Sequence, residues 1–302
     1  MIQLTASDFQ PLCGSDVVRE RIGALEGERR AAVRKFWLRG LAGIALAAAA
    51  GFTLYVSGWE TVAIIAALVF LVGGIVAAIG PLMAAKEGLK LPVLEEIARR
   101  AGMEYFASGF EPPAFGARGL LFGQSGFSSQ TFTDLFNGTD EEGRGIAVYE
   151  ANLRRRSGKN TYTVFTGQMY AVQRRPGRQG HVAIVPDRKI FNFWKPASDM
   201  ERVRIEGDDA FEKKFEIYAT NPMEARELVD PAFRARLLEL RKAGRVYLYA
   251  GPEEALVATW GKDRFEPGNM LRSKPGEERV KGMFEDVCAS LDLLRELRAK
   301  LA

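Results

Sequence analysis

The sequence predicts an α+β chain in which an N-terminal two-helix transmembrane hairpin is followed by a mainly antiparallel β-sheet domain with packing helices. Three observations carry this prediction. Two uncharged apolar runs lie almost back to back near the start. Short runs rich in β-branched and aromatic residues crowd the second half. Those strand-like runs precede helical patterns with no regular βαβ alternation, which argues for segregated strands and helices. With 302 residues the chain has room for about two units. The expected organisation is an N-terminal cytoplasmic helix over 1–39, the hairpin over 40–85 and a cytoplasmic α+β domain over 86–302.

Residues 1–39 hold seven basic and five acidic side chains. From Asp16, which is placed to cap a helix, no proline interrupts a helix-compatible pattern. Residues 40–58 and 61–85 carry no charge. At about 1.5 Å per residue these runs reach about 28 and 37 Å, enough for a hydrocarbon core of about 30 Å. The polar residues ahead of them argue against a cleaved signal peptide. Arg29, Arg30, Arg34, Lys35 and Arg39 precede the first run and Lys86 and Lys90 follow the second, whereas the link between them holds only Glu60. That asymmetry places both ends in the cytoplasm and the link, with Trp59, at the outer interface. Gly43, Ala47 and Gly51 share one helix face, and Gly74 and Ala78 repeat the spacing on the second helix. An antiparallel pair then puts Gly43 level with Gly74 and Gly51 level with Ala66, so that small residues allow close backbone approach. Neither run contains an ionisable residue, which favours an anchor over a transport path.

Beyond the hairpin, residues 91–103 read as a linker helix, and 107–126, rich in Gly, Pro and Phe, as an irregular loop. Residues 146–154 and 162–172 flank the turn residues Ser157-Gly158-Lys159-Asn160 and predict a long β-hairpin. Further strands are expected at 182–185, 202–205, 211–219, 246–249 and 255–260. Asn221-Pro222 starts a helix that Pro231 restarts, and 277–301 forms a last amphipathic helix.

Candidate chemistry is sparse. The net charge over 86–302 is +3, too small a basic excess to indicate a nucleic-acid partner. His181 is the single histidine, and Gly123-Gln124-Ser125-Gly126 falls one residue short of a nucleophile elbow. Cys13 and Cys288 are far apart and show no metal-ligand spacing, so no metal and no cofactor are expected. Gly158-Lys159 and Gly261-Lys262 lack the rest of a phosphate loop. Two basic clusters remain as binding candidates for an anionic surface or an acidic partner. They are Arg154, Arg155, Arg156 and Lys159 at one hairpin end, and Arg174, Arg175 and Arg178 at the other. Asp134, Asp140, Glu141 and Glu142 form an acidic loop whose carboxylates are candidates for acid–base work.

Several runs carry a resemblance. Phe211-Glu212-Lys213-Lys214-Phe215-Glu216-Ile217-Tyr218, Glu224-Ala225-Arg226, Asp230-Pro231-Ala232-Phe233 and Phe265-Glu266-Pro267, and less sharply Phe136-Asn137-Gly138-Thr139-Asp140, resemble a bacterial family known as domain of unknown function 3137. The resemblance implies a two-helix hairpin in the inner membrane followed by a cytoplasmic domain, and it supplies no catalytic residues. The expected function is a membrane-anchored cytoplasmic binding or scaffold module whose partners are the bilayer and a protein. The alternatives are an inner-leaflet enzyme acting on lipid or envelope precursors through the carboxylates, and a sensor of anionic lipid through the arginines.

Overall fold

Long helix-compatible sequence produces the longest elements of the chain, one of which runs through two prolines. A computed structural model describes residues 3–114, 116–122, 126–177, 179–187 and 199–302. The chain divides into two units, one of Thr5–Ile97 with Phe265–Glu285 and the other of Met1–Leu4, Ala98–Arg264 and Asp286–Ala302.

The first unit is helical. After α1 (Phe9–Gly14), helix α2 runs over Asp16–Val56 and α3 over Glu60–Ala101. Ser15, not Asp16, caps α2, its hydroxyl accepting from Val18 N at 3.4 Å. The expected linker helix over 91–103 is not separate, because nothing between Ala85 and Leu91 stops a helix and α3 continues through Pro81 and Pro92. Leu12, Val18, Leu25, Leu89 and Val93 are buried in this unit, and Gly276, at the start of the last helix, packs against Ile22 and Leu25.

Both long helices are long and apolar enough to cross a membrane. In each, only 11% of the most apolar stretch is buried. Phe52, Ile64, Val69 and Val76 are each more than 60% exposed, so the apolar surface faces outward rather than into a core.

The second unit is built on one antiparallel sheet. Its strands are β1 (Glu104–Phe106), β2 (Ser129–Thr139), β3 (Gly145–Ser157), β4 (Asn160–Gln173), β5 (Val182–Pro186), β6 (Glu201–Val203), β7 (Phe215–Ala219), β8 (Val246–Ala250) and β9 (Glu254–Trp260). Among the described residues the order is β1-β2-β3-β4-β9-β8-β5-β7-β6. Its helices are α4 (Ala117–Phe122), α5 (Asp209–Glu212), α6 (Pro222–Leu228), α7 (Pro231–Ala243) and the C-terminal part of α8 (Gly276–Leu301). The fold is therefore α+β, as the segregation of strands and helices implied.

The central hairpin closes on Gly158 and Lys159, with Ser157 opposite Asn160. Along β3, Ala147, Tyr149 and Ala151 join a core with Leu121 and Phe122 of α4, while the alternate Val148 and Glu150 point the other way. On the far face Ser290 of α8 donates to Gln168 of β4 at 3.2 Å. The central strands are thus covered on both sides.

Three local expectations need correction. The loop over 107–126 contains α4. Asp134 sits in strand β2, where a bulge between Thr133 and Phe136 interrupts the alternation that would have marked it. The run 211–219 is not one strand: Asp208 Oδ1 accepts from Phe211 N at 3.1 Å and caps α5, so only its second half joins the sheet as β7.

Candidate functional site

The apolar hairpin is the first functional element, and its geometry follows from small side chains. A Cβ placed on Gly43 would lie 2.7 Å from Gly74 Cα, closer than any side chain tolerates. A Cβ placed on Gly51 would lie 3.4 Å from the Cβ of Ala67 and 3.9 Å from Ala63 O, a shift from the Ala66 expected by counting back from the turn. Ala47 lies half-buried between these two contacts. Arg39 Nη1 donates to Ala77 O at 2.9 Å and joins the helices again beyond the glycine contact. Lys86 and Lys90, expected as topology-setting cations, both pair with Glu266, at 2.5 and 2.8 Å. Those contacts hold the carboxyl of Glu266 below its ordinary range despite a burial that pushes it up.

The basic clusters separate into unlike parts. Arg154, Arg156 and Lys159 are exposed at the β3–β4 tip, and no acidic side chain pairs with them among the described residues. Arg155 points to the opposite face of the strand, donates to Phe122 O at 3.1 Å and lies over the Phe127 ring. Arg174 corrects the second cluster. It is buried, and its guanidinium donates to Leu301 O at 2.9 Å and Gly251 O at 2.5 Å, so it ties the chain end to the sheet instead of presenting charge. Arg175 is exposed, 4.0 Å from Glu142, and Arg178 lies outside the described residues. By register the tip and Arg174 sit at opposite ends of the hairpin.

Of the four candidate carboxylates, Glu141 is exposed, Glu142 pairs with Arg144 at 3.0 Å, and the other two are buried and engaged. Asp134 is buried and accepts from Tyr105 OH at 2.5 Å. Asp140, with 1% of its side chain exposed, accepts from Glu142 N, Arg144 N and Arg144 Nε at 2.8–2.9 Å, and Arg298 approaches to 3.5 Å. Burial alone would raise the Asp140 pKa, but the Arg144 backbone and guanidinium outweigh it and hold the carboxyl below its ordinary range. A group held ionised on four sides is a poor proton donor, so the site is a structural knot that joins the β2–β3 turn to α8. Asp140→Ala is expected to destabilise the chain by about 1–3 kcal/mol. Because its folded pKa lies below the unfolded value, the wild-type contribution is full at neutral pH and is lost on acidification through the carboxylate range. Thermal unfolding of both proteins from pH 7 to pH 3 checks this, with the gap closing toward low pH.

His181 is half-buried, its Nδ1 2.8 Å from Tyr249 OH. Burial, and then the charge of Glu254, push the Tyr249 phenol up. Residues 123–125 of the near-elbow lie outside the described residues. Among the described residues no three His, Cys, Asp or Glu side chains converge as metal ligands.

A cleft of about 280 Å³ opens where β2, β3, β4 and β9 run side by side. Ile146, Ala147, Ala171 and Val172 form its apolar wall, and Asn137, Gln173, Glu253 and Glu254 supply polar groups. Its remaining wall is Pro113-Ala114, fixed by Tyr149 OH donating to Pro113 O at 2.9 Å. Ala114 has a φ of 56°, a left-handed conformation uncommon outside glycine and often found beside binding sites. Burial, and then the charge of Glu253, raise the Glu254 pKa. Periodicity identified the strands but not this convergence, because the polar residues come from three separate strands and a turn.

No curated protein matches the chain. The crystal structure of the mycobacterial trehalose monomycolate transport factor A is similar at 13% identity with a TM-score of 0.36, covering 67% of this chain and 96% of that one. Likeness at this level carries no argument about function. The matched family segment begins within β4 and ends within α8, so it takes in most of the sheet and neither of the two long apolar helices. Residues 163–299 match the family described as "Protein of unknown function (DUF3137)", the family that the runs at 211–218 and 230–233 resemble.

Proposed function

We propose that this chain is a membrane-anchored cytoplasmic binding module. Residues 40–58 and 61–85 span the inner membrane, both termini lie in the cytoplasm, and the sheet unit recruits a protein partner. One observation carries the reading. The most apolar stretches of α2 and α3 are almost wholly uncovered, and a soluble protein does not leave two such helices facing water. The hairpin itself is dry, tied by Gly43, Gly74 and Arg39 without a polar path, which fits an anchor better than a conduit. The cleft at Glu253 and Glu254 and the cationic tip at Arg154, Arg156 and Lys159 are the surfaces offered to a partner.

The anchor is tested by fractionation. The chain should stay in the pellet after an alkaline carbonate wash and leave it with detergent, and recovery in the wash would reject the reading. Orientation is tested in a Cys13→Ala, Cys288→Ala background. Gly58→Cys should react with an impermeant thiol reagent in intact cells, and Lys159→Cys only after permeabilisation. The binding role predicts a stoichiometric partner after cross-linking in mild detergent, and repeated recovery of none would remove it.

A further inference from the structure

We propose that the sheet unit contains a binding site for a phosphate monoester, formed by Arg204, Arg226 and Arg234. The three come from separate elements. Arg204 follows edge strand β6, Arg226 is in the last turn of α6, and Arg234 is near the start of α7. They line one cavity of about 370 Å³ together with Ile205 and Glu206.

The site is held in place from outside. Asp208 caps α5 with Oδ1, and its Oδ2 accepts from Arg234 Nε at 2.7 Å. Arg234 Nη1 donates to Val229 O at 2.9 Å, so the guanidinium is fixed by contacts that leave its Nη2 edge open. Ile205 N donates to Glu212 Oε1 at 2.8 Å and pins the segment that carries Arg204. Neither Arg204 nor Arg226 pairs with an acid among the described residues. Asp208 balances Arg234, and Arg204 and Arg226 face one lining carboxylate, Glu206, so the cavity keeps one positive charge in excess.

Three arginines lining one cavity favour a ligand class. A carboxylate is satisfied by a single guanidinium fork, whereas the three terminal oxygens of a phosphate monoester accept from several forks at once. The volume exceeds that of a phosphate group, which leaves room for an organic body beside Ile205. Soluble metabolites and lipid headgroups both carry this group, so the test has two arms.

In the first arm, the full chain in phosphatidylcholine nanodiscs is titrated calorimetrically with inorganic phosphate and with glycerol 3-phosphate. In the second, nanodiscs containing phosphatidic acid, with no soluble phosphate, are assayed for protection of Arg204 and Arg226 from phenylglyoxal. Saturable binding in the first arm assigns a soluble ligand, and protection in the second arm alone assigns a headgroup. Arg204→Glu and Arg226→Glu should weaken binding about tenfold or more, as loss of a charge-assisted hydrogen bond implies. The milder Arg226→Lys, which keeps the charge and loses the fork, should also weaken it, and guards against misfolding of the reversed variants. Lys242→Glu, at an exposed lysine in the last turn of α7, should leave it unchanged. Absence of binding in both arms, wild-type affinity in Arg226→Lys, or an equal loss in Lys242→Glu would each overturn the proposal.

Discussion

Gly43→Leu is expected to force the two long helices apart. Even the first atom of the new side chain would sit 2.7 Å from Gly74 Cα and 3.3 Å from Phe70 O, both backbone atoms that cannot rotate away. Lipid tails are as apolar as leucine, so no hydrophobic gain compensates, and close packing is what holds such a pair together. Overpacking of this kind costs about 1–3 kcal/mol. Gly40→Leu is the matched control, since nothing lies within 4 Å of a Cβ there, and removing a helix glycine should stabilise α2 by about 0.5–1 kcal/mol. The second helix offers the same comparison, with Gly74→Ala destabilising and Gly73→Ala tolerated. Melting of the full chain in mild detergent should fall for positions 43 and 74 and hold or rise for 40 and 73. Equal melting at positions 43 and 40 would remove the glycine contact from the account of the anchor.

What could be read in the sequence was whatever is local. Absence of charge over 40–58 and 61–85 is a property of consecutive residues, and so is the turn chemistry at Gly158-Lys159 that set the β3–β4 register. The facing of Gly51 depends on how each helix is rotated about its axis, which counting from the turn does not give, so Gly51 meets Ala63 and Ala67 on either side of the expected Ala66. Strand β2 escaped notice because Asp134, at a φ of 56°, throws the alternation out of step at its middle. Phe211 and Phe215 are both buried whether the run is strand or helix followed by strand, so apolar pattern alone could not reveal the Asp208 cap. Charge was the least legible feature. Arg174 and Arg175 are neighbours in sequence, yet one is buried against the carbonyls of Leu301 and Gly251 and the other faces solvent. The cavity of Arg204, Arg226 and Arg234 joins an edge strand to two helices, a convergence that only the fold creates.

Gly167→Ala is expected to be the most damaging single substitution in the sheet unit. Gly167 lies in β4 between Ala151 of β3 and Trp260 of β9, with a φ of 143° that side-chain-bearing residues rarely adopt. A Cβ there would stand 2.1 Å from Thr259 O and 2.8 Å from Gly261 N, while Gly261 N itself donates to Thr166 O at 3.0 Å. Relieving the collision means either moving β9 away from β4 or rotating the peptide and breaking that bond. Backbone strain and overpacking together place the loss at about 3–5 kcal/mol, a large share of the stability of an ordinary domain. Gly158→Ala separates the two contributions. At the hairpin tip φ is 59° and no atom lies within 4 Å, so only left-handed strain of about 1–2 kcal/mol remains. Chemical denaturation of the full chain in detergent, followed by near-ultraviolet circular dichroism, should show a modest shift for position 158 and an early or absent transition for position 167. A shift at 167 no larger than at 158 would mean that β4 and β9 part easily, and the seam that carries Glu253 and Glu254 to the cleft would then be too soft to hold a fixed binding surface.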